Sequence, residues 1–121
     1  MVIKVLSPVF SVCKIPDLSM VNMRDDYVFI GKTEEELSLV CDTNYIPSNY
    51  TDREDNWRVF KIQGQLDFSL IGILSKITKI LADNKIGVFA VSTYNTDYIL
   101  VKEENLSLAT KSLAEAGYGI V

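Results

Sequence analysis

The chain has 121 residues, enough for one compact unit or two very small ones. Apolar residues make up 48% and charged residues 23%, ordinary for a folded globular chain, and no apolar run approaches the roughly 18 residues of a membrane-spanning helix. The 12 Lys and Arg are dispersed and outnumbered by 16 Asp and Glu, which argues against nucleic-acid binding through phosphate contacts.

Residues 1–6 are mostly apolar, with no basic segment before them and no stretch of signal-peptide length. They are expected to form a first strand in a cytoplasmic protein. Residues 10–15, 27–30 and 37–41 are further short runs, the set being rich in Val, Ile, Phe and Tyr. Ser7-Pro8, Pro16-Asp17, Arg24-Asp25-Asp26 and Gly31-Lys32 punctuate them. Thr33-Glu34-Glu35-Glu36 matches a helix capping box, but the segment after it is short and alternates Leu37, Leu39, Cys41. A strand is favoured there over a helix. Cys13 and Cys41 lie inside apolar runs and outside any CxxC, and are read as buried, reduced thiols. Residues 47–56 are polar and charged, and read as a connector. The expected division is therefore a strand-rich unit over 1–56 and a second unit over 57–121.

The second half has a clearer rhythm. Residues 57–62 alternate as a strand that Gly64 ends. Asp67 and Ser69 are N-cap candidates for a helix. Leu70, Ile73, Leu74, Ile77, Ile80 and Leu81 recur at helical spacing, with Ser75, Lys76, Lys79 and Asp83 opposite. Asn84 and Gly87 bracket the stop. Residues 88–93 form a strand, Tyr94-Asn95-Thr96 a tight turn, and 97–101 its hairpin partner. Glu103-Glu104-Asn105 opens a second helix with negative charge at its positive end. Leu106, Ala109, Leu113 and Ala116 give that helix an inner face. Gly117 suits the C′ position, and 118–121 is a last strand. The order is βαββαβ, two split βαβ units of an α+β fold. The first half reads as a shortened copy of this plan without a long helix, although no sequence repeat proves it.

There is no His, which removes the commonest general base and transition-metal ligand. No catalytic residue, metal site or cofactor is expected, and the chain is read as non-catalytic. Gly31-Lys32-Thr33 resembles the end of a P-loop, but position 26 is Asp where Gly is needed. Two segments carry the binding chemistry. In residues 64–72, Gly-Gln-Leu-Asp-Phe-Ser-Leu-Ile-Gly, a strand leads into a helix start. Unsatisfied N–H groups there favour a carboxylate, and Gly72 allows close approach. A capped helix with a packing glycine accounts for the same residues. In residues 92–97, Ser-Thr-Tyr-Asn-Thr-Asp, hydroxyls and a carboxylate crowd a turn between apolar strands. Asp97 there either caps the turn or holds a cationic group.

On Gly64-Gln-Leu-Asp-Phe-Ser-Leu-Ile-Gly-Ile-Leu, on Phe89-Ala-Val-Ser-Thr-Tyr-Asn-Thr-Asp-Tyr-Ile-Leu-Val, and more thinly on Glu36-Leu-Ser-Leu-Val-Cys, the chain resembles the ACT-domain proteins. The likeness is to short bacterial double-ACT proteins related to CASTOR-type arginine sensors. That resemblance implies two ferredoxin-like modules, the first degenerate, in a homodimer that binds a free amino acid at a module or dimer interface. It implies an allosteric, regulatory sensor that passes occupancy to its dimer or to a protein partner. Asp67, Phe68, Ser69, Leu70, Ile71 and Gly72 would take the ligand's carboxylate and ammonium. Thr93, Tyr94, Thr96 and Asp97 would line its side-chain pocket. Gln65 stands where relatives often have Pro. The competing reading is a protein-interaction or dimerisation module with a vestigial site.

Overall fold

A computed structural model describes residues 1–63 and 72–121. The described residues form eight strands and two α-helices, in the order β1 (Val2–Val5), β2 (Phe10–Lys14), β3 (Val28–Lys32), β4 (Leu37–Asp42), β5 (Asp52–Gln63), α1 (Ile73–Asp83), β6 (Phe89–Ser92), β7 (Asp97–Lys102), α2 (Leu106–Glu115) and β8 (Gly119–Ile120). Single 3₁₀ turns follow β4 at Thr43–Tyr45 and β7 at Glu103–Asn105. The strand reading of 37–41 holds. Thr33 does accept from the backbone N–H groups of Glu35 and Glu36, both at 3.2 Å, but this ties a hairpin turn instead of capping a helix.

Two compact units emerge. A helical module joins Met1–Ser7 to Arg58–Val121, and a strand module is Pro8–Trp57. β5 passes from one into the other. Its first half lies where a polar connector was expected, because Asp52, Arg53 and Glu54 point to solvent and leave no apolar signature. The left-handed Asn56 (φ 66°) sits beside the register shift in the β2–β5 pairing. Asn tolerates that conformation better than most residues.

In the helical module β5, α1, β6, β7, α2 and β8 give the expected βαββαβ order. One strand more is present. β1 runs antiparallel to β5, with Val2 opposite Gln63 and Val5 opposite Phe60, and parallel to β8. The strand order is β8-β1-β5-β7-β6. The first seven residues thus complete the module formed by the last sixty-four. The core joins Ile3, Phe60, Ile62, Ile99 and Val101 from the strands to Ile77, Leu81, Ala109 and Leu113 from the helices, all buried. These are the inward positions of the 2-residue and 3.6-residue periods. Gly117, at φ 100°, ends α2 as expected, with Tyr118 N–H donating to Leu113 O at 3.1 Å. α1 stops at Asn84, but the left-handed residue is Lys85 (φ 61°) and not Gly87.

The strand module has the order β3-β4-β2-β5. Cys13, Ile15, Leu39 and Cys41 form one buried cluster in it, and Phe10 and Val40 are buried as well. Both cysteines are buried, free thiols. Their mutual hydrogen bond holds Cys13 below and Cys41 above the usual thiol range, and burial adds to the rise at Cys41. Ser11, fully buried, donates to Asp55 Oδ1 at 2.7 Å and shares a 2.8 Å hydrogen bond with Thr43. Arg53 grips the same carboxylate through Nε at 3.1 Å and Nη2 at 2.9 Å.

Candidate ligand-binding site

The connectivity of the helical module brings the two sequence motifs to one end. A strand–helix–strand connection returns the chain to its starting direction. β6 therefore runs as β5 does, and its end at Ser92 lies at the same end of the module as Gln63. α1 starts from that end at Gly72. Val2, opposite Gln63, is there as well.

Gly72 stands at the N-cap of α1 and not within its first turn. Its φ of 83° is left-handed, which is why glycine suits it. Gly72, having no side chain, gives the helix no cap bond of its own. Gly72 O accepts from Lys76 N–H at 3.0 Å and from Ser75 Oγ at 3.1 Å. The first-turn N–H groups bring a partial positive charge to this end of the module. Asp67, Phe68, Ser69, Leu70 and Ile71, together with the Asp67 and Ser69 cap expectation, lie outside the described residues.

The second motif is a two-residue hairpin loop, Tyr94-Asn95. Thr93 N–H donates to Thr96 O at 2.8 Å, and Thr93 Oγ1 reaches the same oxygen at 3.0 Å. Ser92 Oγ donates to Asp97 Oδ1 at 2.6 Å across the first strand pair. Asp97 is half-buried, and one of its oxygens is already used by the turn. Tyr94 is 81% exposed. Thr93, Thr96 and Asp97 form one polar rim.

A cavity of about 410 Å³ that sequence reasoning did not single out lies in the same module. Met1, Lys76, Lys79, Ile80, Gly117 and Tyr118 line it. Lys79 is tied to Asp83 at 2.8 Å. The only sequence signal for this cavity was the polar face of α1 beside the small residues that end α2. Among the described residues no three Cys, Asp or Glu gather as a metal site, and no helix is long and apolar enough to cross a membrane.

The sequence matches the ACT domain over residues 52–115, more than half of the chain. None of the curated proteins matches it. Among solved structures, a protein of Agrobacterium tumefaciens is 29% identical and superimposes with a TM-score of 0.87, covering 98% of this chain and 90% of that one. The ligand-free regulatory subunit of aspartate kinase from Thermus thermophilus has a TM-score of 0.70 at 7% identity, covering 97% of each chain. Aspartate kinase of Clostridium acetobutylicum, described as an allosteric enzyme, has a TM-score of 0.70 at 15% identity, over 94% of this chain and 34% of that one. The last two show likeness of fold alone. The family match, the βαββαβ order and the mixed α+β sheet agree, and the chain belongs to the ACT-domain family.

Proposed function

We propose that this chain is a non-catalytic regulatory protein that binds a free amino acid at the end of its helical module marked by Gly72 and Asp97, with the site completed at a module or homodimer interface. The family and the aspartate-kinase neighbours support a regulatory, ligand-binding role in general. One observation carries the finer reading. A helix N-terminus whose cap is a left-handed glycine and a carboxylate-bearing hairpin lie at the same end of one module. That pairing of partial positive and full negative charge suits a zwitterion. The segment from Asp67 to Gly72 would hold the α-carboxylate and ammonium, and Thr93, Tyr94, Thr96 and Asp97 the side chain. Asp97 favours a cationic amino acid, in keeping with the resemblance to arginine sensors.

A thermal-shift and calorimetric screen with the twenty proteinogenic amino acids tests this. A true ligand at a hundredfold excess over its Kd stabilises by about 2.7 kcal/mol, and Asp97→Ala abolishes the shift. No shift with any amino acid at millimolar concentration sinks the proposal.

One observation favours the second reading, an interaction module with a vestigial site. β6 pairs only with β7 among the described strands, and Phe89 at its start and Val88 just before it are 37% and 38% exposed. An uncharged apolar sheet edge is a template for a further strand. Sedimentation of wild type and Phe89→Lys separates the readings. A dimer lost in the variant, with no amino-acid response in either protein, favours the interaction module.

A further inference from the structure

One hairpin and the 3₁₀ turn after it occur in both modules at an offset of 60 residues. β4 starts at Leu37 and β7 at Asp97, and the 3₁₀ turns that follow start at Thr43 and Glu103. Cross-strand partners keep the same offset: Phe29 faces Val40 as Phe89 faces Leu100, and Lys32 faces Leu37 as Ser92 faces Asp97. The loops match too. Thr33 N–H donates to Glu36 O at 2.9 Å, and Thr93 N–H to Thr96 O at 2.8 Å. The strand order β5-β2-β4-β3 in one module repeats β5-β7-β6 in the other, with β2, β4 and β3 standing for β5, β7 and β6. By this correspondence the end of β2 and the Thr33–Glu36 hairpin are the counterpart of the Gln63 and Thr93–Thr96 end.

A cavity of about 410 Å³ lies at that counterpart position. Lys14, Ile15, Lys32, Thr33, Glu36 and Leu37 are among its walls. Its apolar floor is supplied by Ile15 and Leu37, whose backbones are joined by a 3.0 Å hydrogen bond. Its rim carries both signs of charge. Among the described residues neither Lys14 nor Lys32 is joined to a carboxylate by an ion pair, while Glu36 accepts from Ser38 Oγ at 2.9 Å. The acidic run of the turn alone would mean only a solvated loop. A concave site with two uncommitted ammonium groups, a carboxylate and an apolar floor fits an α-amino acid, whose carboxylate and ammonium need opposite partners close together.

We infer that the strand module carries a second amino-acid site, between the end of β2 and the Thr33–Glu36 hairpin, related to the site proposed in the helical module by the repeated hairpin and the matching strand order. The inference rests on that proposal for its ligand class and on this cavity for its place. Lys14 and Lys32 take the carboxylate, Glu36 the ammonium, and Ile15 and Leu37 the first carbons of the side chain.

Amide shifts of the uniformly ¹⁵N-labelled full chain test it. The probes are the twenty proteinogenic amino acids, in pools and then singly, with the N-acetyl and carboxamide derivatives of any that respond. Saturable shifts at residues 14–16 and 33–37 are expected. The Lys32→Ala/Glu36→Gln chain should bind there about tenfold more weakly or worse, with the response at 93–97 unchanged. Both substituted side chains are exposed, so the fold is expected to survive. Shifts confined to 93–97 overturn this inference and leave the first site standing. Shifts confined to 14–16 and 33–37 support it while relocating the first site. No shift at either place overturns both. Equal binding of an N-acetyl or carboxamide derivative at 33–37 overturns the zwitterion assignment.

Discussion

The two modules share a strand order and differ in what fills the connections. Between the first and second strands of the plan the helical module spends 25 residues, 64–88, and the strand module 13, residues 15–27. Between the third and last, one has α2 and the other only the Thr43–Tyr45 turn and a loop. Among the described residues the cluster of Cys13, Ile15, Leu39 and Cys41 in the strand module is covered in part by the loop residues Val21 and Ile46. That cluster has four buried residues with half-buried neighbours, whereas the cluster that two helices close in the other module has ten. The shared hairpin therefore keeps its register with helices beside it or without, while the larger buried cluster is found only with them. A fully buried Leu or Ile side chain contributes roughly 1.5–3 kcal/mol, so the helical module should hold most of the stability.

The largest effect separates the modules directly. Leu81→Ala, at a fully buried position on α1, should cost about 4 kcal/mol, because helix and strand around it relax little. Leu39→Ala, equally buried on β4 but beside partly exposed neighbours, should cost about 2 kcal/mol, near the low end of such truncations. Urea unfolding followed by far-UV circular dichroism measures both. Equal costs would mean that the loops pack as firmly as helices.

What the sequence shows follows the same line. Both helices were legible because their burial repeats every 3.6 residues, and the hairpin at 93–96 because two apolar strands flank polar turn residues. The place of β1 was not. A strand's own pattern says which face is buried but not which strands lie beside it. Asp52, Arg53 and Glu54 of β5 pair with β2 while they are exposed, and Asp55 and Asn56 after them are polar, so nothing apolar marked this stretch. The repeat escaped because only Val28/Val88, Phe29/Phe89 and Thr33/Thr93 coincide in residue type over the paired strands, and the unequal connections break the offset before them. Of the candidate site, the hairpin and the glycine at the helix start were legible from turn chemistry. That Gly72 is itself the cap was not, since Asp67 and Ser69 are better cap residues by type.

The buried serines sharpen the contrast at a lower energy. Ser11, in the strand module, bonds residues 32 and 44 positions away, and Ser11→Ala should cost about 1–2 kcal/mol by unsatisfying that network. Ser112, in α2, only donates to Leu108 O one turn back, at 2.8 Å. That carbonyl sits within a helix, and Ala is the better helix former, so Ser112→Ala should change stability by less than about 0.5 kcal/mol. Equilibrium unfolding of the two variants side by side is the check. Gly117→Ala falls between them. Nothing would touch the new Cβ, and the cost, about 1 kcal/mol, is that of a left-handed φ alone.

The smallest effects come from two non-glycine residues with positive φ among the described residues, one in each module. Lys85 (φ 61°) follows the Asn84 C-cap of α1, and its N–H donates to Ala82 O at 2.9 Å. A lysine pays the left-handed penalty with no local hydrogen bond from its side chain in return, so Lys85→Gly should stabilise the chain by about 0.5 kcal/mol, the relief of strain exceeding the added freedom of the unfolded glycine. Asn56 (φ 66°) stands at the irregularity in β5. Asn enters this region at little cost, and Asn56→Gly should leave stability unchanged or slightly lower. Differential scanning calorimetry resolves the two, with a rise in Tm expected only for Lys85→Gly. A rise at Asn56 instead would mean that the strain lies in the irregular strand shared by the modules, and that the helical module ends α1 without cost.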